Sequence, residues 1–315
     1  MVAVAVNALV SGLETPARAQ RATGYGSGTR KRLAVLNEPL PAEVQGTETP
    51  EAELEAEIRA RNLSLSESAA AEAAKLVIDS DTLTDEPYMI AIVAATVVMA
   101  AAMTSGVIGA VAASSTPVLS AAAAVAATVA GILFSDAFTG VFHWSVDNYG
   151  NLQTPVLGPV IAAFQGHHES PWTITYRNFA NNVHKVAYGV LPLLGLLALS
   201  HPGPAGTMFG VSALMGLLMC QELHKYSHMV RPPQWVARLQ QSGIILSKKE
   251  HGLHHTSPFE GKYCIVTGHC NEIMDSTNLY RHLERVVYER TGVEPNCWKL
   301  DTTGEIKAAA LGTST

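Results

Sequence analysis

Residues 88–135 read YMIAIVAATVVMAAAMTSGVIGAVAASSTPVLSAAAAVAATVAGILFS, forty-eight positions without an Asp, Glu, Lys or Arg. A bilayer is crossed by roughly 20 apolar residues in a helix, so this stretch is long enough for two crossings. Ser114, Ser115, Thr116 and Pro117 interrupt it near the middle, where a helix would end and a new one start. The expectation is one span over 88–112 and a second over 118–142. The second is rich in Ala and Gly, which lets helix backbones approach closely in lipid. A second uncharged run covers 186–221, broken by His201, Pro202, Gly203 and Pro204. Its arms hold only about 15 residues each, short of a full span by length. They either continue past their apolar cores or dip into the bilayer without crossing. The predicted fold class is therefore an all-α integral membrane protein with about four transmembrane or membrane-dipping helices in two hairpins, topped by a histidine-rich helical cap on one face.

Two hairpins return the chain twice to its starting face. Arg177, Lys185, Lys225, Arg231, Arg238, Lys248 and Lys249 all fall on that face, and the hairpin turns carry no base. That asymmetry follows the rule that basic loops stay on the side of insertion. The rest of the chain is organised around this unit, which is expected over 88–300. Residues 1–37 carry Arg18, Arg21, Arg30, Lys31 and Arg32 against Glu14 alone, the composition of an organelle transit peptide. Residues 38–87 invert the balance, with acids from Glu38 to Glu86 against Arg59, Arg61 and Lys75, and read as an acidic, mostly disordered linker with one helix near 50–76. Residues 301–315 are expected to be a flexible tail.

A net charge of −6 and no basic stripe interleaved with aromatics argue against a nucleic-acid partner. Cys220, Cys264, Cys270 and Cys297 are too few for a disulfide framework and lack the CxxC spacing of a zinc site. A thiol-redox partner acting on the last three is the one regulatory option they leave.

The chemistry lies in the histidines. Of twelve, nine are candidate ligands: His143, His167, His168, His184, His224, His228, His251, His254 and His255. HKYSH places His224 and His228 one helical turn apart on one face, and HGLHH does the same for His251, His254 and His255. His143 and Asp147 in HWSVD form a further i, i+4 pair just beyond the second span. His167 and His168 are adjacent, cannot share a helical direction, and are expected to serve different metals or shells. His201 in the far turn, His269 and His282 are read as non-ligands. Imidazoles with a carboxylate suit iron, zinc or copper. One zinc takes three or four protein ligands, so this many donors imply two ions. Histidine-rich iron pairs activate dioxygen, and the oxidant can take hydrogen from an unactivated C–H bond.

GVFHWSVDNYG (140–150), AFQGHHESPWTIT (163–175), FANNVH (179–184), QELHKYSH (221–228), KKEHGLHH (248–255) and KYCIVTG (262–268) together resemble the plastid fatty acid desaturase 4 family, the palmitoyl-phosphatidylglycerol trans-3 desaturases. The resemblance covers Phe134 to Trp298. It implies three histidine boxes, at Gln165–Glu169, His224–His228 and His251–His255. His143, His184 and Asp147 match further motif positions, and Gln165, Asn271 and Asp275 are candidates for holding ligands from behind. The first box departs from the HxxxH of common membrane desaturases, and His143 with Asp147 would fill the gap. The resemblance further implies two iron ions, dioxygen as co-substrate, phosphatidylglycerol as the lipid and ferredoxin as electron donor. It places the chain in a chloroplast membrane, thylakoid or inner envelope, with the site on the stromal side. The same motifs resemble plasmanylethanolamine desaturases, which act on ether lipids. A histidine-ligated metal transporter or a haem-binding membrane protein is the alternative from another class.

Overall fold

The computed structural model describes residues 82–313, so the expected transit peptide and nearly all of the expected acidic linker lie outside the described residues. The described residues are helical, with no strand among them. Four helices have the length and apolar composition to cross a membrane: α1 (Pro87–Ala112), α2 (Pro117–Asn148), α4 (Phe179–Ser200) and α5 (Gly203–His228). Proline stands in the first turn of α1, α2 and α5, where its missing N–H would have had no partner anyway.

The short-arm expectation for the second hairpin is resolved by extension. α4 has 22 residues and α5 has 26 because both continue beyond their uncharged cores, through Asn181 and His184 at one end and through His224 and His228 at the other. α2 does the same. It runs 32 residues, about 48 Å at 1.5 Å per residue, against a hydrocarbon layer of about 30 Å. Its C-terminal turns therefore project beyond the apolar layer, carrying His143 and Asp147.

Side chains such as Val98, Ile108, Val118, Val125, Leu196 and Leu199 point outward and are exposed, as lipid-facing positions must be. Inside, Met89, Val93, Val183, Ala187, Leu194, Val211 and Leu218 join α1, α4 and α5 in one apolar core. α2 and α5 meet at small residues. A β-carbon on Gly131 would collide with Ser212 and the Phe209 carbonyl, and one on Gly216 with Ser135. The Ala- and Gly-rich composition of the second span thus serves close packing against α5.

The cap consists of α3 (Gly158–His167), a 3-10 turn (Pro171–Tyr176), α6 (Gln234–Gln241), α7 (Lys248–His254), α8 (Asn271–Ser276), α9 (Leu279–Thr291), α10 (Asn296–Leu300) and α11 (Glu305–Leu311). Its centre is the fully buried Glu284, which accepts from the indoles of Trp144 (3.3 Å) and Trp298 (2.8 Å) and pairs with Arg281 (2.7 Å). That carboxylate ties α2 to α9 and α10.

Two boundaries are corrected. Residues 82–86 belong to the folded unit: the Asp85 carboxylate accepts the Asn181 N–H in the first turn of α4 (2.7 Å), and Asn178 N–H donates to the Leu83 carbonyl (2.8 Å). The expected flexible tail is a helix through Leu311. Ile306 and Ala310 are buried beside Cys297 and Trp298, and Arg285 donates to the Ala310 carbonyl.

The α2–α5 contact makes a prediction. Gly216→Val should cost roughly 1–3 kcal/mol from overpacking, seen as a lower melting temperature in detergent micelles, whereas Gly106→Val, where nothing lies within 4 Å of the added β-carbon, should leave it near the wild-type value.

Candidate metal centre

The donors converge from four elements. The C-terminal turns of α2 supply His143 and Asp147, the end of α3 and the residue after it supply His167 and His168, α5 supplies His224 and His228, and α7 with its C-cap supplies His251, His254 and His255. α7 starts cleanly because Ser247 accepts the Glu250 N–H, so HGLHH is helical and its offsets project as a helix requires.

Nine donor residues fall into two groups. His167, His224, His228, His251 and His255 form one; His143, Asp147, His168 and His254 form the other, and within each group the donor atoms lie within 4.8 Å of one another. His167 and His168 separate into different groups, and His254 separates from His251 and His255. Ring centroids of His168 and His255 are 5.0 Å apart, and those of His254 and His255 5.3 Å, so the two groups adjoin.

In the first group the Nε2 atoms of His167 and His228 are 2.9 Å apart, those of His228 and His251 2.9 Å, and those of His251 and His255 3.0 Å. Ligands at right angles around a metal with bonds of about 2.1 Å place neighbouring donors roughly 3.0 Å apart. Both ring nitrogens of His224 are buried and have no hydrogen-bond partner.

The second group is more telling. His143 Nδ1 is 3.0 Å from the Tyr263 carbonyl, and His254 Nδ1 is 2.9 Å from the Gly261 carbonyl. A carbonyl only accepts, so each Nδ1 carries the proton. In the neutral ring, Nε2 is then a bare lone pair. Those lone pairs face Asp147 Oδ2 at 3.2 Å for His143 and 3.5 Å for His254, while His168 Nε2 lies 3.0 Å from the same oxygen. Lone pairs aimed at a buried carboxylate repel; a cation among them converts the repulsion into coordination. Asp147 Oδ1, also buried, has no partner.

Burial keeps the cap histidines neutral. It holds His167, His251 and His254 well below the ordinary imidazole value, and takes His255 down to about 2. These rings therefore present lone pairs rather than protons at neutral pH, as metal ligation demands.

Four expected site residues lie outside the two donor groups. His184 is outside both groups; its Nδ1 donates to the Asn181 carbonyl (2.7 Å) and its ring packs on Tyr88. Asn271 and Asp275 touch no imidazole. Asn271 accepts the Cys264 N–H (2.8 Å), and Asp275 pairs with Lys262 (3.7 Å) and lies beside Gly261. Gln165 donates to the Val146 carbonyl (3.1 Å) and so holds the end of α2 rather than a ring. His201, with φ of 47°, caps α4 at the far turn.

The cysteines are all unpaired. Cys264 and Cys297 are buried with thiols pushed up by burial, and the thiol of Cys270 is raised to about 11 for the same reason. Thiols held protonated in this way are weak nucleophiles.

The carbonyls of Gly261 and Tyr263 escaped sequence reasoning. A carbonyl has no residue signature; the only available sign was the clustering of KYCIVTG with the histidine motifs.

Comparison with known proteins agrees with this geometry. The lipid desaturase domain matches residues 132–298, which include every donor of both groups. The chain belongs to that family. The desaturase domain is 38% identical over 174 residues to fatty acid desaturase 4-like 1, chloroplastic, of Arabidopsis thaliana, covering 55% of this chain and 59% of the relative. It is 39% identical over 174 residues to fatty acid desaturase 4, chloroplastic, of the same plant, covering 55% and 54%. It is 32% identical over 194 residues to the plasmanylethanolamine desaturase of Myxococcus xanthus, covering 59% and 67%. The chain thus spans little more than half the length of the two plant relatives. No solved structure matches it.

The grouping predicts a division among histidines. His254→Ala and His224→Ala should lower the metal retained by the purified chain, measured by elemental analysis, about tenfold or more in affinity. His184→Ala and His201→Ala should retain metal at the wild-type level.

Proposed function

We propose that this chain is a di-iron, dioxygen-dependent membrane lipid desaturase that introduces a trans double bond at carbon 3 of the sn-2 palmitoyl chain of phosphatidylglycerol. The observation that carries the metal reading is the pair of carbonyl-held imidazoles, His143 and His254, whose free nitrogens face the Asp147 carboxylate. Three histidines and a carboxylate beside five histidines suit two iron ions. When bound, that pair would reduce dioxygen and supply an oxidant strong enough to take hydrogen from an unactivated acyl carbon.

The protein supplies placement. The donors lie at the ends of α2 and α5, where the helices outrun the hydrocarbon layer. An acyl chain anchored by its head group at that level would bring carbons close to the carboxyl group nearest the centre, which supports reaction near position 3 rather than mid-chain. Phe164 packs on His143 (5.0 Å) and Phe259 on His168 (4.3 Å), walling the second group with apolar rings. Such a wall favours an acyl chain over water.

The names of the plant relatives support a chloroplast; the proposal places the chain in its thylakoid or inner envelope membrane with the donors on the stromal side. Two electrons per turnover would then come from an external carrier, with ferredoxin the proposed donor. The similarity to plasmanylethanolamine desaturases, which extends over 59% of this chain for the bacterial protein, supports a second reading in which an ether lipid is the substrate. A transporter would place its ionisable groups along the spans, whereas here the donors gather at helix ends. Rings at 4.5 Å, as for His224 and His251, leave no slot for a haem between them.

Lipid analysis decides between the readings. A strain lacking the gene should lose trans-3-hexadecenoate from phosphatidylglycerol and regain it on complementation. Unchanged trans-hexadecenoate would sink the substrate assignment, and a loss of vinyl ethers instead would establish the second reading.

A further inference from the structure

An acid inside an apolar span is costly and is a functional candidate by default. Asp136 lies in α2 roughly two turns before His143, is fully buried, and belongs to neither donor group. Its two oxygens are used up by backbone. Oδ1 accepts the N–H groups of Val266 (3.1 Å), Thr267 (2.7 Å) and Gly268 (2.9 Å), and Oδ2 accepts that of Cys270 (3.0 Å). Thr139, one turn on, accepts the Ile265 N–H at 3.3 Å. Together they fasten five successive or near-successive amides of one non-helical segment to α2. The segment lies tight on the helix, since a β-carbon at Gly140 would meet Cys264 Sγ at 2.6 Å and Tyr280 Oη at 2.9 Å.

The same segment, a few residues earlier, carries the carbonyls of Gly261 and Tyr263 that take the Nδ1–H of His254 and His143. At its other edge the Val266 carbonyl accepts the Leu246 N–H (3.1 Å), just ahead of the α7 cap. Asp136 therefore reaches both the carbonyls that fix His143 and His254 and the start of the helix that bears His254 together with His251 and His255.

We propose that Asp136 is a positioning residue for the metal centre: a membrane-embedded anion that fastens the 261–270 strap to α2 and so fixes the tautomer and aim of His143 and His254. A carboxylate suits this task because four converging N–H dipoles stabilise the charge that lipid would not. Outer partners of ligating histidines tune affinity in the same manner. The inference rests on the metal reading above.

The test uses the full chain, purified in detergent micelles and titrated anaerobically with ferrous iron. Iron affinity, hydrogen exchange of the 264–270 amides and melting temperature are measured for wild type, Asp136→Asn, Thr139→Val and Ile306→Ala. D136N removes the charge and sets an amide NH₂ against the Cys270 N–H; it should speed exchange of the strap amides and weaken iron binding about tenfold or more. T139V removes one of the strap's five amide bonds, along with the hydroxyl's own bond to the Asp136 carbonyl, and should act in the same direction, roughly twofold to tenfold. I306A, which empties part of the distant α11 contact, should lower the melting temperature and leave iron affinity unchanged. Wild-type iron affinity in D136N with freely exchanging strap amides would overturn the inference. So would iron loss in I306A equal to that of D136N. If D136N does not accumulate as folded protein, unchanged affinity in T139V overturns it. A wild-type chain that binds no iron overturns the metal reading itself, while iron bound equally by wild type and variants removes this inference alone.

Discussion

Two imidazole lone pairs are held against one buried carboxylate, and much of the domain is arranged to keep them there. His143 and His254 cannot turn away, because their Nδ1–H groups are fastened to the Tyr263 and Gly261 carbonyls. They cannot readily escape by taking up a second proton, since burial opposes charge on His254. Asp147 cannot retreat either: Asn296 and Gln165 hold its own carbonyl and that of Val146, at the end of α2. A cation resolves this arrangement as no rotamer change does. A buried polar group without a partner is unfavourable in any protein, and here such atoms converge instead of being scattered.

That demand explains the architecture around it. Donors on α2 and α5 must approach, and the small residues Gly131, Ser135, Ser212 and Gly216 let those helices do so. The donors must also reach beyond the hydrocarbon layer, so both helices outlast their apolar runs. The cap closes the centre from above, with Glu284 gathering two indoles and an arginine into one polar knot. Tyr263 sits between that knot and the donors, its ring packed on His254 (4.9 Å) and Tyr280 (4.8 Å) and its hydroxyl accepting from Asn148.

The two groups also differ in chemistry. Five neutral imidazoles surround one position, while three imidazoles share the other with a carboxylate. The carboxylate brings negative charge and one unpartnered oxygen to the side walled by Phe164 and Phe259. In the proposed reaction, unequal halves would let dioxygen and the lipid approach from different sides.

The spans, their pairing into hairpins and the convergence of the histidines on one face were legible in the sequence, because charge-free runs and i, i+4 spacings are local properties of a helix. Eight of the nine candidate histidines, with Asp147, fall within the two donor groups. His184 was not separable from them, since a histidine one turn inside a helix looks the same whether it faces a metal or packs on Tyr88. The arm lengths of the second hairpin left two readings open because hydropathy stops at the first polar residue, whereas α4 and α5 continue through theirs. What only the tertiary structure decided was the sorting of donors into two groups, the carbonyls of Gly261 and Tyr263, and the use of Asp136 to hold the strap that carries them. The Tyr263 and Asp136 contacts join residues 120 to 134 positions apart in the chain, and the carbonyls are backbone atoms that every residue possesses alike.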